Sequence, residues 1–505
     1  MRTGAICVVV GLASALASAG DGLRIVTWNI SNYSGGRQAD LTTAIYGEFN
    51  GLSMDPDIIL AQEILSQSAT NALLAILNSA PTSPGDWAAA PFIDGPDTDG
   101  AMFYRTSKID FLNLAILPAD AGTTGAPRNV QRYDVRLVGY QSPAAELAMY
   151  NSHMKAGSSS TDQARRLIEA QKIRTNAQAL DPAIHILLAG DFNIQSSSQM
   201  AYQHLIASQA NNNGRFLDPI ATLGNWNNNF SFRFVHTQDP IGAGGMDDRH
   251  DQILLDGSLG DGVGLEYRGA FGTPYSTTTW DDPNHSYRSW GNDGTTFDLA
   301  LRTVGNAMVG EQIAIALRNV AAGGGHLPVF ADFVVPARVD APVLVDLGAV
   351  PAGSLAQGSI VVGNGGDAAL WGASGIADLA YLLEADAGIT VPAGVFFDEA
   401  SGDLNEHAFS IDISGLGLGQ NISGQIRVLS DDLDNPTWTI DIIGTIAGCS
   451  AADFAPPFGV LDFFDIQGFL SAYALGQPAA DFNSDSSFDF FDIQLFLVAF
   501  AAGCP

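Results

Sequence analysis

At 505 residues the chain is too long for one hydrophobic core, and about two to four domains are expected. Its 54 acidic residues face 22 basic ones, a formal net charge of −32, which excludes a broadly basic surface that would draw in nucleic acid or anionic membrane from a distance. Chemistry on a phosphate would need a cation to carry it.

In chain order, residues 1–19 (MRTGAICVVVGLASALASA) carry one Arg, an apolar run from Ile6 and the small-residue ending Ala17-Ser18-Ala19. This reads as a secretory signal peptide cleaved near Ala19. No later stretch reaches ~18 uninterrupted apolar residues, so the mature chain is expected to be exported, with no transmembrane segment. Residues 20–335 alternate strands with helical stretches. LRIVTWNI, DIILAQEIL, AMFYRT, LAMYNSHM and IHILLAGDFN read as strands, and TDQARRLIEAQKIRTNAQAL, opening at Thr161, as an amphipathic helix. Asn- and Gly-rich loops at 210–229 and 272–296 are long enough to face a substrate or to be mobile. Within LLAGDFNIQ, an extended chain would point Asp191 and Asn193 into one space while Phe192 turns to the core. The plainer alternative is a strand ending in an Asx-type turn.

Residues 336–342 (PARVDAP) read as a linker, and 343–447 as a small antiparallel all-β sandwich with no helix, built from alternating runs such as FSIDIS, GQIRVLS and TWTIDIIGTI. The last segment, 449–505, contains a repeat: VLDFFDIQGFL at 460–470 returns as SFDFFDIQLFL at 487–497. Counted from Asp481, oxygen-bearing residues fall at loop positions 1, 3, 5, 9 and 12 (Asp481, Asn483, Asp485, Asp489, Asp492), with the Ser487 carbonyl at position 7. That spacing suits Ca²⁺, although Ser486 replaces the usual Gly and Asp492 the usual Glu. The first copy has Ala455, Pro456 and Pro457 in its ligand region and is expected to bind poorly or not at all. Cys449 and Cys504 bracket this segment, an even pair expected to form a disulfide.

Several polar residues close the expected strands of the first domain: Asn29, Glu63, His153, Asp191, Asn193, Asp251 and His326. Each alone has a bland reading as a turn, cap or bonded histidine. The ordered set TWN (27–29), QE (62–63), NSHMKAG (151–157), GDFN (190–193), HDQIL (250–254) and HLPV (326–329) resembles the endonuclease/exonuclease/phosphatase superfamily, over essentially all of the first domain. The resemblance implies a deoxyribonuclease-like, two-sheet α/β sandwich whose strand ends converge on one cleft. The 343–447 segment resembles Ig-like modules of exported bacterial proteins, and the duplicated EF-hand-like loop and helix resemble a dockerin type I domain.

By the resemblance, Glu63 with Asn29 would hold Mg²⁺, or Mn²⁺ or Ca²⁺. Asp191 would orient or deprotonate the attacking water, and Asn193 would donate to a phosphate oxygen. Asp251 would keep His326 protonated for the transition state or leaving group, and His153 would contact the phosphate or share in proton transfer. Lys155 could add positive charge or be solvated, and Asp97 or Asp99 would support His153. One departure stands out: the family's Asp before the last His is here Gly325, which implies weakened or altered metal use. The leading expectation is a secreted metal-dependent phosphodiester hydrolase, an extracellular nuclease on DNA or RNA. The alternatives are a phospholipid or sugar-phosphate phosphoesterase, or a catalytically weakened surface-attachment protein. A cohesin-like or cell-surface partner would suit the tail.

Overall fold

The computed structural model describes residues 21–504 apart from 243, 322–324 and 354. The expected signal peptide, and Gly324 of the Gly-Gly-His stretch, lie outside the described residues. The chain divides into two compact units, residues 1–337 with 366–377, and residues 338–365 with 378–505.

Among the described residues the first unit has twelve strands: β1 (Leu23–Tyr33), β2 (Ile58–Ile64), β3 (Trp87–Ala89), β4 (Asp99–Arg105), β5 (Ile109–Leu117), β6 (Val130–Leu137), β7 (Glu146–His153), β8 (His185–Asp191), β9 (Asp251–Leu255), β10 (Glu266–Tyr267), β11 (Arg288–Ser289) and β12 (Val329–Val334). One sheet has the order β10-β12-β1-β2-β4-β3, with β11 also on β12; the other runs β5-β6-β7-β8-β9. All five strands read from the sequence are present. The near-continuous burial of β1, β2 and β8 marks them as central strands covered on both faces. Between the sheets Gln62 Nε2 donates to Asn151 Oδ1 (2.8 Å), and Asn151 Nδ2 to the Ala61 carbonyl (2.9 Å).

Helices close both outer faces. α1 (Gln38–Tyr46), α2 (Gln67–Ser79) and α5 (Gly310–Val320) pack Leu41, Leu73 and Leu317 over the first sheet, while α3 (Ser160–Gln178) and α4 (Met200–Ile206) pack Ile173 and Tyr202 over the second. Helix α3 opens one residue before the expected Thr161, because Ser159 and Asp162 form a reciprocal capping box that satisfies the first free amides. The long loops are packed rather than loose: Trp226, Tyr287 and Trp290 are buried, and a buried Arg249–Asp218 ion pair (2.8 Å) ties one loop to β9.

In the second unit, β13 (Val339–Asp340) occupies part of the expected linker and pairs with β15 (Leu355–Asn364). The remaining strands are β14 (Leu344–Pro351), β16 (Leu379–Ala385), β17 (Ile389–Thr390), β18 (Phe396–Asp398), β19 (Asn405–Asp412), β20 (Asn421–Ser430) and β21 (Thr437–Ala447). They form two sheets, β13-β15-β19-β17 and β14-β21-β20-β16-β18, and the antiparallel expectation is corrected at one edge, where β14 runs parallel to β21. The helix-free expectation for 343–447 is corrected by a short helix, α6 (Ala368–Trp371), capped by Asp367. It belongs to the first unit, where buried Trp371 accepts from Gly22 N and Val335 N donates to Gly375 O (2.8 Å). The tail carries α7 (Phe463–Ala474) and α8 (Phe490–Ala502); the repeat-related Phe469 and Phe496 stack with centroids 3.9 Å apart, and Cys449 is bonded to Cys504.

Candidate active site

Strand register gathers the polar residues at one end of the sandwich. In the parallel β7–β8 pair His153 lies opposite Asp191, and in the antiparallel β8–β9 pair Asp191 lies opposite Asp251. Close approach of β7 to β8 needs Gly190: a Cβ there would fall 1.8 Å from the Ser152 carbonyl oxygen. From the other sheet, β1 and β2 run in register to Asn29 opposite Gln62, and then slip before Tyr33 opposite Ile64. Ser31, Asn32 and Glu63, all with positive φ, absorb the slip. The bulge aims the Asn32 amide at Glu63 Oε2 (2.8 Å) and the Ser31 amide at Asn29 Oδ1 (3.0 Å). His326 precedes β12, its carbonyl accepting from Trp28 Nε1 (3.1 Å).

Six of the seven expected residues form one connected cluster. Asn29 Nδ2 donates to Glu63 Oε1 (3.1 Å) and to Asp191 Oδ2 (3.2 Å). Asp191 Oδ2 lies 3.4 Å from His153 Nε2 and 3.6 Å from His326 Nε2. His326 Nδ1 donates to Asp251 Oδ2 at 2.6 Å, and Thr237 Oγ1 donates to the same oxygen at 2.6 Å. Asn193, the seventh, sits beside it: its backbone N–H donates to Asp191 Oδ1 (3.0 Å) and its Nδ2 to the Met154 carbonyl (3.2 Å).

Two details correct the sequence expectation. Asp191 and Asn193 do not share a strand face, because β8 ends at Asp191 and Asn193 turns to φ 51°. The Asx-type turn and the polar site are therefore the same feature, and one Asn193 amide hydrogen is committed to Met154. Asn29, expected as an oxygen ligand, turns its NH₂ toward the two carboxylates because Oδ1 serves the Ser31 amide.

Burial and charge set three different protonation states. Burial lowers the affinity of His326 for a proton, but Asp251, Asp191 and Glu63 outweigh it and raise the pKa to about 10. For His153 burial wins: with Arg128 and His326 also opposing charge, it is held down at about 4 despite Asp191. Burial would raise Asp191, yet His326, His153, His250 and the Asn193 amide bring it down to about 2. Burial pushes Asp251 upward while His326 pulls it back. At neutral pH the site holds an ionised Asp191 between an imidazolium at 326 and a neutral imidazole at 153. That is one acceptor, one proton source and one neutral imidazole around a common space.

The supporting cast differs from expectation. Neither Asp97 nor Asp99 holds His153: Asp97 pairs with Arg128 (2.9 Å), and Asp99, raised to about 6 chiefly by burial, accepts from the Gly95 backbone. His153 Nδ1 has no partner. Lys155 turns to Asp162 (3.2 Å), and Arg166 is buried, donating to the Lys155 and Gly157 carbonyls, where it shapes the 154–157 turn. Sequence reasoning missed Arg128, Thr237 and His250. Only His250 left a sequence trace, as the first letter of HDQIL, and a lone histidine there gave no signal of its own.

Gly325 reflects packing. A Cβ at this position would lie 1.9 Å from Ser31 Oγ and 2.6 Å from Ala321 Cα, so no acid fits there without moving backbone. Its carbonyl instead accepts from Asp239 N (3.1 Å), an acid that burial pushes upward while the nearby His326 and His250 pull it back.

Glu63 Oε1 and Asp191 Oδ2 both accept from the single Asn29 Nδ2, so two hard oxygens of the kind a divalent cation takes lie about one point, where the Asn29 amide would have to turn to admit it. In the tail, Asp481 accepts from the Asp485 and Ser486 amides and Ser487 N donates to Asp485 Oδ1, curling the loop. Asp489 and Asp492 form the capping box of α8, and Asn483 Nδ2 donates to Asp485 Oδ2 (2.9 Å). Among the described residues no helix is long and apolar enough to cross a membrane.

The family model for endonucleases, exonucleases and phosphatases matches residues 26–289, which takes in the second sheet, the first sheet apart from β12 and the start of β1, and every residue of the cluster except His326. The chain belongs to the endonuclease/exonuclease/phosphatase family. It is an enzyme that hydrolyses phosphoester bonds, and members of this family are generally divalent-metal dependent. No curated protein matches the chain. Among solved structures, a D. rerio TDP2 humanized by 14 mutations is 14% identical with TM-score 0.37, over 62% of this chain and 98% of that one. The human Nocturnin catalytic domain with bound sulfate gives 16% and 0.33, over 62% and 94%. A Staphylococcus aureus beta toxin gives 12% and 0.34, over 61% and 99%. His326, of the HLPV stretch, lies beyond the matched range and joins the cluster through Asp251, while Val329 pairs with Thr27 of β1.

Proposed function

We propose that this family member is a secreted, divalent-metal-dependent phosphodiesterase that cleaves nucleic acid, with a calcium-binding tail that attaches it to a surface or scaffold partner. The observation that carries the catalytic part is the chain Asp251–His326–Asp191–Asn29–Glu63, in which a buried imidazolium and a buried carboxylate face the same space.

Glu63, with Asp191 and a rotated Asn29 amide, would hold Mg²⁺ (or Mn²⁺ or Ca²⁺), which supplies charge on a phosphoryl oxygen. Asp191, ionised down to about 2, orients the attacking water and accepts its proton through Oδ2. His326, fixed by Asp251, stabilises the added negative charge and can protonate the leaving oxygen from Nε2. His153, neutral at physiological pH, contacts the phosphate, and Asn193 offers its second amide hydrogen.

A polymeric nucleic acid is favoured by the loop that contributes Thr237. There Phe230 is 58% exposed, with the Arg233 guanidinium 4.2 Å from its centroid, a platform on which a base can stack. Export is inferred from residues 1–19 and from the Cys449–Cys504 bond. The tail reading, dockerin-like with Ca²⁺ at Asp481, Asn483, Asp485, Ser487, Asp489 and Asp492, rests on the repeat and on exposed Phe463, Phe464, Phe490 and Phe491. The sandwich in the second unit is proposed as an Ig-like spacer.

The test is purified protein on plasmid DNA, RNA, phospholipid and a sugar phosphate, each with Mg²⁺ and with EDTA. Cleavage of DNA or RNA abolished by EDTA is expected. Cleavage of lipid or small esters alone would replace the nuclease reading, and no cleavage with any divalent ion would point to an attachment protein.

A further inference from the structure

His250 is a buried imidazole with no assigned task. It is 6% exposed, directly precedes Asp251, and lies with its ring centroid 6.3 Å from that of His326. With its ring beside His326, and near enough to Asp191 and Asp239 to act on both carboxyls, it borders the same space as the catalytic cluster. Neither ring nitrogen has a hydrogen-bond partner, and Nε2 stops 3.8 Å short of Asp248 Oδ1.

The other buried histidines behave differently. His236 sits between the Met246 and Trp226 carbonyls, His185 between Ser258 Oγ and the Ala144 carbonyl, and His285 between Tyr267 and Thr273 hydroxyls. Among the described residues His250 is alone in having both nitrogens buried and unpartnered. An imidazole always carries at least one N–H, and burying that donor without an acceptor costs folding free energy. Such a group is retained at low cost only if something accepts from it in the working state.

We propose that His250 is a substrate-contacting residue whose ring N–H donates to a non-bridging phosphoryl oxygen, beside the oxygen served by His326. This rests on the phosphodiesterase reading and adds to it a second imidazole donor on the His326 side of the phosphoryl group. The nearest acid leaves that N–H free: Asp248 Oδ1 is 3.8 Å from Nε2, beyond hydrogen-bond reach.

The test uses the full chain with bis(4-nitrophenyl) phosphate as substrate and inorganic phosphate as competitive inhibitor. His250→Phe keeps the ring volume and removes the donor; His250→Gln keeps a donor. Phe is expected to raise KM and the phosphate inhibition constant by about 10-fold or more, with Gln recovering most of it and both melting near wild type. Values for Phe within about twofold of wild type would overturn the proposal. Should the Phe variant fail to fold, ¹⁵N-histidine resonances of the wild-type protein decide it. Added phosphate must shift His250 along with His326, and a His250 signal that moves only with a divalent cation, or not at all, overturns it. Wild-type turnover with an unaffected Phe variant removes this inference alone; absence of wild-type turnover removes the underlying reading, while the phosphate titration still tests His250.

Discussion

His326 shows how a few contacts set the working state of a residue. A buried imidazole would ordinarily lose its proton early, yet the 2.6 Å bond to Asp251 and the nearby Asp191 carry its pKa from 6.5 to about 10. The sign follows: a raised histidine pKa favours the folded state fully below pH about 6.5, and that contribution fades as pH rises toward 10. Asp191, depressed from 3.8 to about 2, contributes above pH about 4 and is lost as pH falls toward 2. The alkaline limb of kcat should therefore lie near pH 10, and Asp251→Asn should move it down toward 6.5 while lowering kcat; an unmoved limb in a pH–rate profile would contradict the pairing. Gly325 gives a second prediction. Because a Cβ would meet Ser31 Oγ and Ala321 backbone, Gly325→Ala should destabilise by about 1–3 kcal/mol in urea unfolding, and Gly325→Asp should not tighten metal binding. The residues that sequence made legible are those at strand ends in short motifs, such as Glu63 after LAQ and Asp191 after LAG. His250 was illegible because its distinguishing property, two unpartnered buried nitrogens, exists only in three dimensions. The Gly325 departure looked like a lost ligand because its steric cause lies in Ser31, far away in sequence.

At the scale of elements, strands with uniform apolar runs were readable, since a central strand must be apolar on both faces. β6, VQRYDVRL, carries no such run. Its charged residues alternate on the more open face, where Arg132 Nε donates to Asp134 (2.8 Å) and Nη1 to Asn176 of α3 (2.7 Å). The positive-φ bulge across Ser31, Asn32 and Glu63 also had no sequence signal, although it positions Glu63. Helix α3 is legible in sequence but its cap is not, because Thr161-Asp162 looks like a start whereas Ser159 makes the reciprocal bonds. Ser159→Ala should cost about 1 kcal/mol by denaturant unfolding with little change in activity, since the cap orders α3 and touches none of the catalytic groups. A loss well below that would mean the capping box is not formed.

For the whole molecule, length and turn-rich composition after residue 342 announced a second unit, but not that residues 366–377 return to the first. That contact depends on Trp371 being buried among distant residues, which no local pattern encodes. In the tail, the small core around Phe469 and Phe496 leaves little apolar surface to stabilise it, so the Cys449–Cys504 bond should matter. Cys504→Ser is expected to weaken α7 and α8 by about 2–4 kcal/mol in hydrogen exchange, and Ca²⁺ should raise their protection relative to EDTA. The most direct test of the central claim is hydrolysis of bis(4-nitrophenyl) phosphate by the wild-type, Asp191→Asn and Glu63→Gln proteins across a Mg²⁺ titration. Wild-type turnover that requires the ion, with a fall of at least about 100-fold in either variant at unchanged melting temperature, is the predicted result. Variants as active as wild type, or wild-type turnover undiminished in EDTA, would contradict it.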